Sequence, residues 1–533
     1  MEKQKLWWRD GVIYQIYPRS FADSNQDGFG DLIGIISHLD YLVELGVDAI
    51  WLSPIYPSPD ADFGYDVSNY TGIDPRYGTM EDFDLLVKSA HEKGIRLILD
   101  LVMNHTSDQH PWFIQSRSSR DNPYHDWYLW RDPRPGGKPP NNWYSIFGGR
   151  GWEFDPKLGQ YYFHMFDKRQ PDLNWHNPAV RQAMLDVYRF WLERGVDGFR
   201  LDVFNAYFKH PDLPDNPVKL GIRGFERQQH IYDTDQPDLL PLLSEIRAML
   251  DSYSERYAVG ETFLDTAEKA ASYCGPRYLH GTFNFSFFNY FWWPRLFLKA
   301  IQRWEAALSP EAWPTWVLNN HDNVRSASRY RRGEDDSRAK VAAALLMTLR
   351  GTPFMYYGEE IGMRNLRLPR EKIKDPPGKK YWLVYRGRDG CRGPMQWDDT
   401  TFAGFSQVEP WLPAHLDSSW RNVAAQRSDP DSLFNFYRRL INLRKEYPAL
   451  REGLFLPLNF EPRTLLGYLR KTNQQTILVA LNFVNRPNRL AIGSQLAHAN
   501  WKVLLSNRGR LSTELRSGLL HLDPDEVCIL LQR

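Results

Sequence analysis

Short runs rich in β-branched and aromatic residues alternate with stretches of helical period from Gly11 to about Gly453. VIYQIY (12–17), VDAIWLSP (47–54) and IRLILDLVM (95–103) come first, separated by IISHLDYLVELG (35–46) and MEDFDLLVKSAHEKG (80–94). DGFRLDV (197–203), RYAVGE (256–261), HGTFNFSF (280–287), TWVLNN (315–320) and PFMYYG (353–358) follow, with helical patterns such as SRAKVAAALLMTLRG (337–351) between several of them. Strand and helix in alternation predict parallel βα units, and eight strand candidates predict a closed (β/α)8 TIM barrel. A doubly wound open sheet is the alternative, but no GxGxxG turn follows the first strand.

Two stretches break the alternation. The first, 104–177, is aromatic and rich in Pro and Gly, includes RDPRPGGKPPNNW, and is too long for an ordinary βα loop. It is expected to be a small inserted domain after the third strand, dividing the barrel into 1–103 and 178–452. The second, 365–405, follows the eighth strand candidate and is placed to overhang the barrel mouth. From 453 to 533 the period falls to two in LLGYLRK, QQTILVALNFV and EVCILLQ, which predicts a C-terminal antiparallel β-sandwich domain.

Composition narrows the partners. The 533 residues are 42% hydrophobic and 25% charged, enough for a large core, and the net charge of +1 offers no basic stripe for nucleic acid. The 20 Trp and 28 Tyr suit stacking on an uncharged ring-shaped ligand. Cys274, Cys391 and Cys528 are widely spaced with no CxxC pair, as expected of reduced thiols in a cytoplasm. The start of the chain carries Lys3 and Lys5 but no apolar leader, and no apolar run reaches membrane-spanning length, so a cytoplasmic protein without a membrane partner is expected.

The chemistry is read from three acids where a strand-like run gives way to loop: Asp202 in GFRLDVF, Glu261 in YAVGETF and Asp322 in WVLNNHDN. In one parallel barrel they converge on one mouth. The ordered strings GVDAIWLSP, DLVMNHT, QPDLNW, GFRLDVF, GETF and NNHD resemble the signature blocks of the α-amylase superfamily of glycoside hydrolases. DFGYDV and RGPMQWDD add a resemblance to its α-glucosidase and oligo-1,6-glucosidase branch.

That resemblance implies roles. Asp202 is similar to the family's nucleophile, Glu261 to its acid/base and Asp322 to the third acid that holds sugar hydroxyls. Arg200, two residues before Asp202, is expected to favour ionised Asp202, and the field of Asp322 to keep Glu261 protonated. His105 and His321 resemble the histidines that bond the glucosyl ring, Tyr65 its stacking platform, and Asp62 with Arg392 the pair that closes the pocket. Val203 resembles the Val that accompanies α-1,6 preference, while linkage choice between α-1,4 and α-1,6 stays open. ADSNQDGFGD places Asp23, Asn25, Asp27, the Phe29 carbonyl and Asp31 at alternate positions, as in a calcium loop without its twelfth-position Glu. A structural Ca2+ or Mg2+ is expected there, with no organic cofactor. The implied activity is a retaining exo-α-glucosidase acting on short α-glucosides. A transglucosylase or isomerase of the same branch, such as a trehalose synthase or sucrose isomerase, shares these motifs. A non-catalytic partner resembling transporter heavy chains would need a membrane span and usually lacks the acids.

Overall fold

The computed structural model describes residues 6–262, 266–459, 463–512 and 518–533. Lys3, Lys5 and Phe263, the last residue of GETF, lie outside the described residues. Strands β1 (Ile13–Ile16), β2 (Ala49–Leu52) and β3 (Arg96–Leu101) open the chain. An insertion then carries β4 (Trp130–Arg131), β5 (Trp152–Asp155) and β6 (Gln160–Phe163), antiparallel in the order β4-β6-β5. The first sheet resumes with β7 (Gly198–Leu201), β8 (Tyr257–Gly260), β9 (Gly281–Thr282), β10 (Thr315–Val317) and β11 (Thr352–Tyr356).

These eight strands are all parallel, in the order β10-β11-β1-β2-β3-β7-β8-β9. At the remaining seam the Thr315 hydroxyl donates to the Thr282 carbonyl, drawing β10 to β9 and closing the (β/α)8 barrel. Each of the eight barrel strands expected from the hydrophobic pattern coincides with one of these. The helical pattern at 35–46 differs, because one helix covers Leu32–Ser37 and a second Leu39–Leu45. His38 breaks the run: its Nδ1 lies 2.8 Å from the Gly34 carbonyl and its backbone leaves helical geometry at φ −111°, ψ 10°.

Strand periodicity explains how the site is built. Residues of one parity, such as Tyr14, Ile50, Leu97, Leu99, Phe199 and Leu201, pack outward in the main core with the helices. The other parity points inward, where Ile13, Trp51, Ile98, Tyr257, Val259 and Val317 fill the barrel. Two residues further on, the inward series turns polar: Gln15 after Ile13, Asp100 after Ile98, Glu261 after Val259, and Arg200 then Asp202 after Gly198. The apolar plug thus supports a polar layer at the C-terminal mouth, where this fold builds its sites.

Beyond the barrel lie β12 (Leu454–Pro457), β13 (Leu465–Lys471), β14 (Thr476–Asn482), β15 (Asn488–Ala491), β16 (Trp501–Ser506), β17 (Leu519–Leu522) and β18 (Val527–Gln532). They form an antiparallel five-stranded sheet, β12-β13-β14-β18-β16, and a β15-β17 pair. Leu469, Leu478 and Leu530 of the first meet Leu490, Leu520 and Leu522 of the second in one buried cluster. Among the described residues no helix is long and apolar enough to cross a membrane.

Candidate active site

Arg200 is the centre of the mouth. It is 1% exposed, and its Nη1 lies 2.7 Å from Asp100 Oδ1 and 2.6 Å from Asp202 Oδ1, while Nη2 contacts Glu261 Oε2. A planar guanidinium thereby gathers acids from β3 and from the ends of β7 and β8. Its carbon sits 5.3 Å from the Trp51 ring centroid and 5.9 Å from that of Tyr65, so the cation lies over aromatic rings as well as being ion-paired. Gly260 precedes Glu261 because a Cβ there would strike Phe204 and Leu279.

Asp322 completes the set from the loop after β10. Its Oδ1 lies 2.8 Å from Arg392 Nη2 and 3.4 Å from Arg388 Nη1, and its Oδ2 lies 3.0 Å from His321 Nε2. Burial alone would raise this carboxyl, but His321 and the two guanidiniums hold it well below the usual carboxylate range. Asp202 behaves oppositely. Burial pushes it up to about 6, and Arg200, which favours the ionised form as expected, offsets only part of that rise. Glu261 has the Arg200 cation as its neighbour.

A cavity of about 750 Å3 opens over these acids, and Asp62, Tyr65, His105, Val203 and Arg388 share its wall with Asp202, Glu261 and Asp322. His321, Arg200 and Arg392 do not line it. His321 stands behind Tyr65, their rings parallel within 4° and 5.4 Å apart, with its Nε2 2.6 Å from the Tyr65 hydroxyl and its Nδ1 2.8 Å from Gln15 Nε2. Burial lowers its pKa to about 3 against the pull of Asp322, so near neutral pH it is uncharged and the two guanidiniums are what keep Asp322 ionised. His105 does face the cavity, its Nε2 3.0 Å from both the Tyr65 carbonyl and Gln170 Nε2.

The pocket-closing ion pair is not the expected one. Asp62 Oδ1 meets Arg388 Nη2 at 2.5 Å, whereas Arg392 is fully buried and spends itself on Asp322 and the His321 carbonyl. Both arginines stand in RGRDGCRGP on either side of the 3-10 turn Asp389–Cys391, and both reach Asp322 Oδ1, but only Arg388 goes on to Asp62. Asp375 holds Arg388 in place, Oδ1 to Nε at 2.8 Å. Sequence reading also missed Gln170, Asp100 and the aromatic wall of Phe147, Phe166, Phe285 and Tyr385. Gln170 stands in QPDLNW, and the bridge between His105 and Asp172 brings the two roots of the insertion together over the mouth.

Val203, directly after Asp202, is buried and sits at φ 34°, ψ 40°. That left-handed backbone is strained for a β-branched residue, and it turns the chain sharply from β7 so that both side chains reach the cavity.

The loop at 23–31 lies apart from the mouth. Asp23 accepts from the backbone N–H groups of Gln26 and Gly28 and from the Ser406 hydroxyl, Asn25 from Asp27, and Asp27 from Phe29. Asp31 caps the helix Leu32–Ser37 through Gly34 and also binds both Ser24 donors. Among the described residues no group of three His, Cys, Asp or Glu side chains is gathered for a metal ion. The loop as it stands is closed by Asx bonds, with Asp31 engaged by Ser24 and Gly34.

Comparison with known proteins agrees with this arrangement. The family model "Alpha amylase, catalytic domain" matches residues 15–453. A probable alpha-glucosidase of Rhizobium meliloti (strain 1021) is 46% identical over 502 residues, 90% of either chain. An oligo-1,6-glucosidase of Parageobacillus thermoglucosidasius is 40% identical over 539 residues, 95% of either chain. Among solved structures, the alpha-glucosyl transfer enzyme XgtA superposes with a TM-score of 0.94 at 41% identity, covering 99% of this chain and 100% of its own. The trehalulose synthase MutB does so with a TM-score of 0.92 at 35% identity, again covering 99% and 100%. With its barrel, its acids at the strand ends and a family match across most of its length, the chain belongs to the α-amylase family of glycoside hydrolases.

Proposed function

We propose that the protein is a retaining exo-α-glucosidase releasing α-glucose from the non-reducing ends of short α-glucosides, with α-1,4 and α-1,6 linkages both within reach. The observation that carries it is Arg200 holding Asp202 and Glu261 on one guanidinium beside a pocket whose far end is shut by Asp62 and Arg388. Two carboxyl oxygens on neighbouring nitrogens of one guanidinium stand no more than roughly 7 Å apart by hydrogen-bond lengths, which favours the 5–5.5 Å of a retaining pair over an inverting one. Asp202 Oδ attacks the anomeric carbon as the glycosidic bond breaks, and the bonding pair leaves on the oxygen that Glu261 protonates. Water, deprotonated by Glu261, then attacks the same carbon and expels Asp202. Asp322, kept anionic by its arginines, accepts sugar hydroxyls, and Tyr65 offers its ring face beneath the glucosyl unit.

The closed end supports exo action, because a chain can enter only by its terminus. A transglucosylase or isomerase reading is favoured by the alpha-glucosyl transfer enzyme and trehalulose synthase among the similar structures, since only the acceptor for the second step differs. Early-turnover proton NMR on maltose, isomaltose, sucrose and trehalose tests both readings. Initial α-glucose is expected, initial β-glucose overturns retention, and new disaccharides without free glucose favour transfer.

The same reading places a structural Ca2+ or Mg2+ at Asp23, Asn25, Asp27, the Phe29 carbonyl and Asp31. It is supported by the all-oxygen donor set, and it requires Asp31 to exchange its Ser24 bonds for the ion. A cytoplasmic location is supported by three free, buried cysteines.

A further inference from the structure

A second cavity, of about 680 Å3, lies where the segment FNYFWWP (288–294) meets Phe483 and Val484 of the C-terminal domain. Phe291 and Trp293 at its edge are 72% and 62% exposed, their ring centroids 5.6 Å apart. Arg329, Arg338 and Arg463 line it, and among its described lining residues there is no carboxylate. Arg329 gives its terminal nitrogens to the carbonyls of Val324 and Leu318, and Arg338 gives one to Tyr330. Each leaves a buried Nε–H with no acceptor. The carboxylates of Asp335 and Asp525 are taken by Arg332, at 2.6 and 2.7 Å.

We infer that this cavity binds a phosphorylated sugar, the pyranose against Trp293 and Phe291 and the phosphate among the three guanidiniums. Three guanidiniums with no carboxylate among the cavity's described lining residues favour an anion, and a phosphate is one that arginine donors bind well. Exposed ring faces call for a flat apolar face, which a pyranose supplies and a bare inorganic anion does not. A neutral oligosaccharide would use the rings and leave the arginines unanswered. The volume lies within the usual span of small-ligand sites. Phe288 and Tyr290 line both this cavity and the catalytic pocket.

Isothermal titration calorimetry at low ionic strength tests the inference without requiring turnover, so its outcome is separate from that of the proposed activity. Glucose 6-phosphate is the probe, with glucose and inorganic phosphate as controls. Glucose 6-phosphate should bind at least tenfold more tightly than either control. The double variant Arg463→Gln/Trp293→Ala should lose at least tenfold in that affinity, with its melting temperature and its kcat/KM on an aryl glucoside unchanged, because both side chains are exposed. Four results overturn the inference: no binding at millimolar probe, glucose binding as tightly as its phosphate, inorganic phosphate binding as tightly as the probe, or full affinity in the double variant, which would assign the ligand to the catalytic pocket.

Discussion

Arg388 reaches across the pocket from the excursion after β11 to within 2.5 Å of Asp62 in the loop after β2, while Arg392, four residues on, is sealed beneath Asp322. The first pair faces the cavity and the second supports it. Replacing Arg388 by Ala should therefore raise KM for α-glucosides at least tenfold with a smaller effect on kcat, because uniform binding is lost. Arg392→Ala should instead lower the melting temperature, since it leaves Asp322 without its closest cation and removes a fully buried side chain. Steady-state kinetics and thermal melts on both variants check the contrast, and the reverse pattern would restore Arg392 as the closing residue.

Asp202, raised to about 6 by burial, must be ionised to attack, so kcat/KM should fall below about pH 6. Stability should move the other way. Between the ordinary carboxylate value and about 6 the folded chain holds a proton that the unfolded chain has lost, so this group's contribution falls as pH rises through that window. Asp202→Asn has no such dependence. It should be inactive, yet more stable than the parent above pH 6, on the order of 1–3 kcal/mol, with the gap closing below pH 4. Denaturant melts at pH 4 and pH 7.5 measure it, and a pH-independent gap would remove the burial argument. Asp202→Ala should likewise be folded and inactive.

Glu261→Gln removes the acid and leaves the shape. Activity should fall far less on aryl glucosides, whose leaving groups need little protonation, than on alkyl glucosides. Equal losses on the two series would falsify the acid/base role.

Val203→Thr keeps the β-branch and the strained backbone but adds a hydroxyl at the edge of the cavity. The maltose-to-isomaltose ratio of kcat/KM should rise by at most roughly tenfold, about 1.4 kcal/mol, because one contact changes. An unchanged ratio, measured on both disaccharides, would move linkage choice to the aromatic wall.

At the 23–31 loop a bound cation stabilises only the native state, so chelation should lower the melting temperature more than it lowers activity measured below the melt. Elemental analysis with melts in EDTA and in added Ca2+ decides the point. An unchanged melt with no metal found would leave the loop to its Asx bonds.

The sequence by itself determined the eight barrel strands, the inserted and C-terminal β regions, and the three acids. These follow from local rules: each acid stands where a strand-like run gives way to loop, and in a parallel barrel the ends of β7, β8 and β10 share one mouth. The family strings then supplied Tyr65 and His105. What only the tertiary structure decided depends on distance between segments far apart in the chain. Asp62 and Arg388 are separated by 326 positions, and no local pattern tells Arg388 from Arg392. Burial is equally non-local: how much water the packed mouth excludes outweighs the pull of the arginine two residues before Asp202. The aromatic wall was hidden for the same reason, because Phe147 and Phe166 of the insertion, Phe285 after β9 and Tyr385 after β11 are ordinary apolar residues until the closed barrel brings their loops to one rim.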